Sequence, residues 1–526
     1  MCRHVWSRVS CTGHSSPQTG QAKRLPLGKL ICRSRRFSST AKVTCSTNHG
    51  GTNPIARANN SSGIIIQLLI QGTTAPRHST PYPLNLTKSQ GMSHSEHTLG
   101  KVSDREGLGV FRLGMIWAGF PFILAITITG SVFVIKSDLA TAISAIVIGS
   151  LIMFVYVGLL GEIGWKEKRS FSQIAEIIFG RSGYVAIAGL LSFLVLGWFT
   201  INTAMPAEIF AASFHVPYWI VAAVLGIIFV IVTARGIYGM NLISNLSIPA
   251  YAALMIVSFV VLASHSGSTA SGGMEEVGSR ALDFSEILAG VLASFADSGT
   301  LAPDFNRWAV DRRTSWLSVF SAFPLGFGVA MLAGVAFTAL LALRGIGFDE
   351  PFQTGNPVGY LIGSGGLLLT FAVVVAVTNQ GSNATHCLYN SVLGFSKLSG
   401  KRYLVTTLSV GVVGVIIAVT GVWSLLLDWL KIIGVLVPPI GAVVILAYYG
   451  GFYERRRDDA MMGMLWMPWI ALSAGWVCGL VVNFTSAASY IPVPLSSFAS
   501  AFIVMGTFLK VTPYKDYNTR VVFEEE

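Results

Sequence analysis

The residue with the most to explain is an acid inside an apolar stretch. The segment Ser294-Phe-Ala-Asp-Ser-Gly-Thr-Leu-Ala-Pro-Asp304 puts Asp297 among residues that otherwise suit a lipid bilayer. An ionisable group at membrane depth costs about 2.5–3.5 kcal/mol on insertion scales and marks function by default. Asp297 admits three roles: contact with a solute or proton, an ion pair with a residue such as Lys431, or a protonated, silent acid. Asp304 and Arg307, at the end of the same stretch, read as a topology and gating pair. A second polar cluster is Thr378-Asn-Gln-Gly-Ser-Asn-Ala-Thr-His386. Asn379, Ser382, Asn383 and His386 share one helical face at i, i+3, i+4 and i+7. Such a face needs protein, water, solute or an ion as its partner. His386 has no His or Cys neighbour at zinc spacing, so no structural metal is expected. Trp198, in Leu196-Gly-Trp-Phe199, follows a glycine that would let a flat ligand or another backbone approach; packing is the plainer role. No nucleophile–base pair and no phosphate-binding Gly-x-x-x-x-Gly-Lys-Ser/Thr loop occurs, which argues against an enzyme and against a nucleotide-driven pump.

The elements that must hold these residues are membrane helices. Of the 526 residues, 52% are hydrophobic and 12% charged, about half the charge of a soluble domain. Mean hydropathy is +0.62. Apolar runs long enough to span occur at about 109–135, 139–161, 182–205, 217–234, 240–264, 286–304, 316–343, 365–396, 403–422, 425–449, 464–485 and 490–510. This predicts an all-α polytopic membrane protein with 12 transmembrane helices. Loops from even to odd spans carry fourteen Lys/Arg and those from odd to even spans three. That bias places both termini in the cytoplasm. The longest external loop, about 265–285, carries Glu275 and Glu276.

Two spans are interrupted. In Gly114-Met-Ile-Trp-Ala-Gly-Phe-Pro121, proline removes an N–H and unwinds the helix near Gly119. In span six, Gly299 and Pro303 do the same around Asp297. Breaks at corresponding positions of two halves point to a transporter site. Spans 1–5 (109–264) and 6–10 (286–449) then form two repeats of opposite topology, followed by spans 11–12 (464–510) and a cytoplasmic tail (511–526).

Residues 1–91 hold twelve Lys/Arg, no Asp or Glu, and four of the six cysteines. They carry the excess in the net charge of +11, so the basicity does not argue for nucleic acid. They read as a disordered basic extension upstream of a start at Met92, with an organellar transit peptide as the alternative. Residues 92–108 read as a cytoplasmic leader. No disulfide framework is legible.

Four motifs, in order over about 105–510, resemble the nucleobase:cation symporters, bacterial cytosine permeases especially. Ser294–Arg307 resembles their span-six Ser-Phe-x-Ser-Ala-Gly-Thr-Leu-x-x-Asp-Phe-x-Arg. Leu196-Gly-Trp-Phe199 is similar to Gln-Val-Gly-Trp-Phe, and Leu388–Phe395 to Leu-Tyr-Ala-Ser-Gly-Leu-Gly-Phe. Val437-Pro-Pro-Ile-Gly441 is similar to Ile-Pro-Pro-Val-Gly. The resemblance implies a five-plus-five inverted-repeat fold with broken helices 1 and 6, and coupled uptake of a flat nitrogen heterocycle. It makes Trp198 the ring that stacks on the base and Phe295 the aromatic beside it. Phe120, Asp297, Asn383 and Ala384 complete the implied substrate site. A sodium ion would lie between Gly114 and Trp117 of span one and Asn379, Ser382 and Asn383 of span eight. Three departures bear on specificity. The family's span-three glutamine is Val195, its span-six serine is Asp297, and its span-eight asparagine falls at Ala384.

The function expected is cation-coupled symport of a purine, pyrimidine, hydantoin or thiamine-precursor pyrimidine. The alternative is an amino-acid or amine symporter of the same fold, which Asp297 would suit. The expected context is the cell membrane rather than an organellar envelope, as a monomer, with Na+ or H+ as coupling ion, no other cofactor and no nucleic-acid partner.

Overall fold

The computed structural model describes residues 97, 100–264, 281–344, 346, 356–421, 426–457 and 465–511. The expectations for residues 1–91, for most of the loop at 265–285 and for nearly all of the tail lie outside these residues. The described part is helical throughout, with one isolated β-bridge between Leu108 and Ala309.

The helices are α1 (Val110–Ala118), α2 (Leu124–Lys136), α3 (Leu139–Glu167), α4 (Phe171–Phe214), α5 (Tyr218–Thr233) and α6 (Ile237–Ser264). They continue with α7 (Phe284–Ala293), the short α8 (Ala296–Thr300) and α9 (Pro303–Asn306), then α10 (Arg312–Phe320) and α11 (Val329–Leu343). The remainder are α12 (Pro357–Gly363), α13 (Gly366–Ser399), α14 (Tyr403–Val419), α15 (Leu426–Leu436), α16 (Pro438–Tyr449), α17 (Phe452–Arg457), α18 (Trp466–Asn483) and α19 (Val493–Val511). Among the described residues, eight helical stretches are long and apolar enough to cross a membrane, and four more are apolar but shorter.

Both proline-bearing segments leave the helix. Between Ala118 and Leu124 the chain turns through Gly119–Ile123, and Pro121 cannot donate the bond that would carry α1 into α2. The Leu124 N–H at the restart is capped from another helix: it donates to Asn379 Oδ1 at 2.8 Å. Asn379 Nδ2 donates to Phe122 O and to Ser247 Oγ, both at 3.0 Å. One side chain of α13 therefore satisfies the restarting edge of the first break. The second break opens at Phe295, with φ −140° and ψ 15°. Beyond it lie only the five residues of α8 and the four of α9, which Pro303 opens at its first turn.

Helix α4 runs 44 residues, and Gly180 (φ 78°) kinks it where the sequence reading begins span three. Its longest partner is α13. Asn383 Nδ2 donates to Asn202 Oδ1 at 3.2 Å, and Gly394 lies against Ser192. The two helices therefore run antiparallel, with Cys387 level with Trp198 and Asn390 level with Val195. Helices α2 and α11 approach through glycine: Gly130 meets the Met331 carbonyl and Gly334 the Thr127 carbonyl, leaving no room for a Cβ.

Candidate substrate and ion site

The two breaks face each other across α4 and α13, and a small buried cavity of about 20 Å³ lies between them. Its walls include Ile126, Trp198, Phe295, Ser298, Asn383 and Cys387. Trp198 and Phe295 are 8% and 3% exposed, so both rings are nearly sealed from solvent. Thr129 and Leu430 line this cavity and also a second one of about 460 Å³. The larger cavity opens toward Lys136, with Glu286, Lys431 and Gly434 in its walls.

Asp297 is fully buried beside the small cavity. Its Oδ1 accepts the Ser298 N–H at 2.7 Å. Its Oδ2 and the indole Nε1 of Trp198 have no hydrogen-bond partner, although the two side chains are neighbours. The two atoms face each other beyond ordinary hydrogen-bond length, and a polar group set between them would pair both. Lys431 is not Asp297's partner. It is exposed on α15 in the wall of the larger cavity, and the groups acting on Asp297 are Ser298 and Trp198.

Phe120 meets Phe295 edge to face at 5.1 Å and stacks on the His386 ring at 5.0 Å with 22° between planes. His386 Nδ1 lies 2.6 Å from the Ser382 carbonyl oxygen. Both rings belong to the aromatic wall beside the cavity. Ala384 is fully buried and is not among the cavity's lining residues.

The residues expected to hold sodium are only partly brought together. Ser382 Oγ donates to the Gly119 carbonyl at 2.8 Å and lies 3.4 Å from Ser244 Oγ. Asn379 is engaged at the break, and Asn383 pairs with Asn202. Gly114 lies further along α1, its carbonyl accepting from Ser321 Oγ at 2.9 Å. The Trp117 indole donates to Asn306 Oδ1 at 2.6 Å. The oxygen-rich spot in the structure is therefore Gly119, Ser244 and Ser382, near the end of α1. Among the described residues no three His, Cys, Asp or Glu side chains converge as a metal cluster.

Sequence reading passed over Asn202, Ser298, Cys387 and Asn390. Asn202 and Cys387 lie four residues past Trp198 and Asn383, so helical spacing was a usable signal for both. Cys387 Sγ donates to Asn383 Oδ1 at 3.2 Å.

The opposite end of the bundle is densely braced. Arg307 is fully buried. It donates to the His97 carbonyl at 3.1 Å, the Asp304 carbonyl at 3.1 Å and Tyr389 OH at 3.2 Å, and lies over the Trp308 ring. Asp304 Oδ1 accepts the Phe171 N–H at 2.8 Å. His97 and residues 100–109 lie along this end. Val102 N–H donates to the Lys168 carbonyl, Gln173 Nε2 to the Gly100 carbonyl, and Leu108 N–H to the Trp308 carbonyl. Lys168 Nζ donates to the Ala309 carbonyl at 2.6 Å. Burial pushes the Lys168 ammonium below the ordinary lysine range, with Asp104 pulling the other way.

Residues 108–505 match the family described as permeases for cytosine/purines, uracil, thiamine and allantoin. A cytosine permease of Escherichia coli (strain K12) is 28% identical over 389 residues, which is 73% of this chain and 89% of the relative. Among solved structures, Mhp1 is similar with a TM-score of 0.63 and 16% identity. The match covers 81% of this chain and 97% of Mhp1, a nucleobase-cation-symport-1 family transporter in a closed conformation with bromovinylhydantoin bound. A Na+-coupled sialic acid symporter in a substrate-bound outward-open state gives 0.58 at 12% identity, covering 77% and 90%. These two likenesses establish a shared transporter fold. With three quarters of its length matched, this multi-pass membrane protein belongs to the cytosine/purine, uracil, thiamine and allantoin permease family, a family of transporters rather than enzymes.

Proposed function

We propose that the chain is a secondary active transporter carrying a flat nitrogen heterocycle with Na+ or H+ by alternating access. The observation that carries this reading is the pair of aromatic rings, Trp198 and Phe295, enclosing a cavity between two helix breaks. A planar base stacked on such faces gains about 1–3 kcal/mol per contact. The family membership, the cytosine permease relative and the bromovinylhydantoin bound to Mhp1 support a heterocycle of nucleobase or hydantoin type. In the same reading the eight long and four short apolar helices are twelve spans. They form two five-helix inverted repeats plus two further helices, both termini lie in the cytoplasm, and the protein works as a monomer in the cell membrane.

Gly119 O, Ser244 Oγ and Ser382 Oγ supply hard, uncharged oxygens at the first break, which suit sodium. Sodium coupling would draw on this group rather than on Gly114 and Trp117. Asp297 supports a second reading, an amine cargo, because an unpaired carboxylate oxygen accepts hydrogen bonds only.

Uptake of radiolabelled cytosine, uracil, hypoxanthine and adenine, with and without sodium or a protonophore, tests the reading. One or more bases should be taken up, and Trp198→Ala should lower their affinity about tenfold or more with normal membrane expression. Uptake of a protonated amine but of no base would install the second reading. Wild-type affinity in Trp198→Ala would return that ring to packing.

A further inference from the structure

Asn390 is fully buried, and neither its Nδ2 nor its Oδ1 has a hydrogen-bond partner. A carboxamide left wholly unpaired is costly to bury, and an apolar side chain would avoid that cost. Its position suggests what it serves. Asn390 lies seven residues after Asn383 and four after His386, so it extends their face of α13 by one turn toward the Arg307 end. Asn383 faces α4 through Asn202, and His386 stacks on Phe120 at the first break. Asn390 therefore falls where α4 and the first break meet, one turn beneath Cys387 in the cavity wall. Directly across on α4 stands Val195, fully buried and with no polar side-chain atom to offer.

The cavity, at about 20 Å³, is too small for any heterocycle. It must enlarge to bind one, and the side toward Asn390 holds polar atoms that gain by the change. We infer that Asn390 is a specificity residue of the solute site, reading the ring edge once the cavity has widened. A carboxamide presents a donor and an acceptor side by side. It pairs doubly with a ring edge on which an N–H adjoins a C=O, as in oxo-purines and oxo-pyrimidines. The class selected is thus a lactam-bearing heterocycle. This inference rests on the heterocycle reading above.

The test is ligand-induced thermal stabilisation of the purified full chain. Probes are hypoxanthine and uracil, which carry the lactam edge, and the parent rings purine and pyrimidine, which lack it. Asn390→Leu and Asn390→Ala are compared with wild type. The unliganded Leu variant should melt no lower than wild type, because it removes unpaired polar atoms. Both variants should bind the lactam probe about tenfold or more weakly, with the parent ring changed less than about threefold. Unchanged lactam affinity in the variants, or a wild type that prefers the parent ring, overturns the inference and leaves the heterocycle site standing. A fall in unliganded melting temperature in both variants assigns Asn390 a structural partner and also overturns it. A wild type stabilised by none of the four rings removes the heterocycle reading, and this inference with it.

Discussion

The two ends of the helical bundle are built on opposite principles. At the Lys136 end, α2, α7, α15 and α19 stand apart around a cavity of about 460 Å³ that leads down to Thr129 and Leu430. At the Arg307 end a buried guanidinium, the Asp304 carboxylate, His97 and residues 100–109 are bonded into one another. Packing alone closes neither end of a helix bundle preferentially. The difference lies in buried polar groups that are paired with one another at the Arg307 end. Glu167 makes the same point: buried at the end of α3, it accepts from Tyr448 OH at 2.9 Å and from Tyr453 OH at 3.2 Å. Opening this end exchanges many directional bonds for water. The Lys136 end has little to exchange and is expected to move at small cost.

The largest test of this contrast is Arg307→Ala. Removing the guanidinium strands the buried Asp304 and His97 carbonyls and the Tyr389 hydroxyl, each at about 1–3 kcal/mol. The melting temperature should fall steeply, and a cysteine placed at Ala309 should become reactive to thiol reagents. Wild-type stability with that cysteine still protected would show that the bracing is incidental.

At the open end the corresponding test fills space instead of removing bonds. A Cβ on Gly434 would meet Ala293 and Pro494 at 3.4 and 3.5 Å, ordinary contact distances, with the cavity beyond. Gly434→Trp should abolish uptake while changing the melting temperature little, a combination unavailable at the Arg307 end. Retained uptake would mean that solute does not pass through this cavity.

The smallest test compares two helix ends of closely similar backbone. Lys168 closes α3 at φ 55° and His215 closes α4 at φ 53°, both in the left-handed region that favours glycine. Relief of that strain amounts to about 1 kcal/mol. His215→Gly, at the open end, should therefore raise stability slightly. Lys168→Gly gains the same relief but loses the Nζ bond to Ala309, and should lower it. Equal shifts in thermal unfolding would erase the contrast at this level.

How far the sequence reveals such a molecule depends on the range of the interaction. Pro121 acts on its own chain, so the turn after Ala118 is legible without a partner; the turn at Phe295 comes eight residues before Pro303 and ahead of Gly299, and neither residue announces it. Trp198 and Phe295 are recognisable by motif, and the structure places both at one cavity. What stayed hidden is the pairing of helices. Asn379 carries no sign that it caps Leu124, and Gly114 none that Ser321 takes its carbonyl. The importance of Asn390 emerges only from the register of α13 on α4. Span three illustrates the same limit. Its apolar run starts near 182, yet the helix begins at Phe171, because helical turns continue across the kink at Gly180 into a more polar stretch.

The cavity between the breaks has a consequence for osmosis. A space of about 20 Å³ accommodates roughly one water molecule. If the proposed alternating-access cycle passes through this shape, it moves almost no solvent on its empty half. Vesicles crowded with the protein should therefore shrink in hypertonic medium no faster than protein-free ones. If transport is ion-coupled as proposed, so small a space would also keep the ion gradient from draining without cargo.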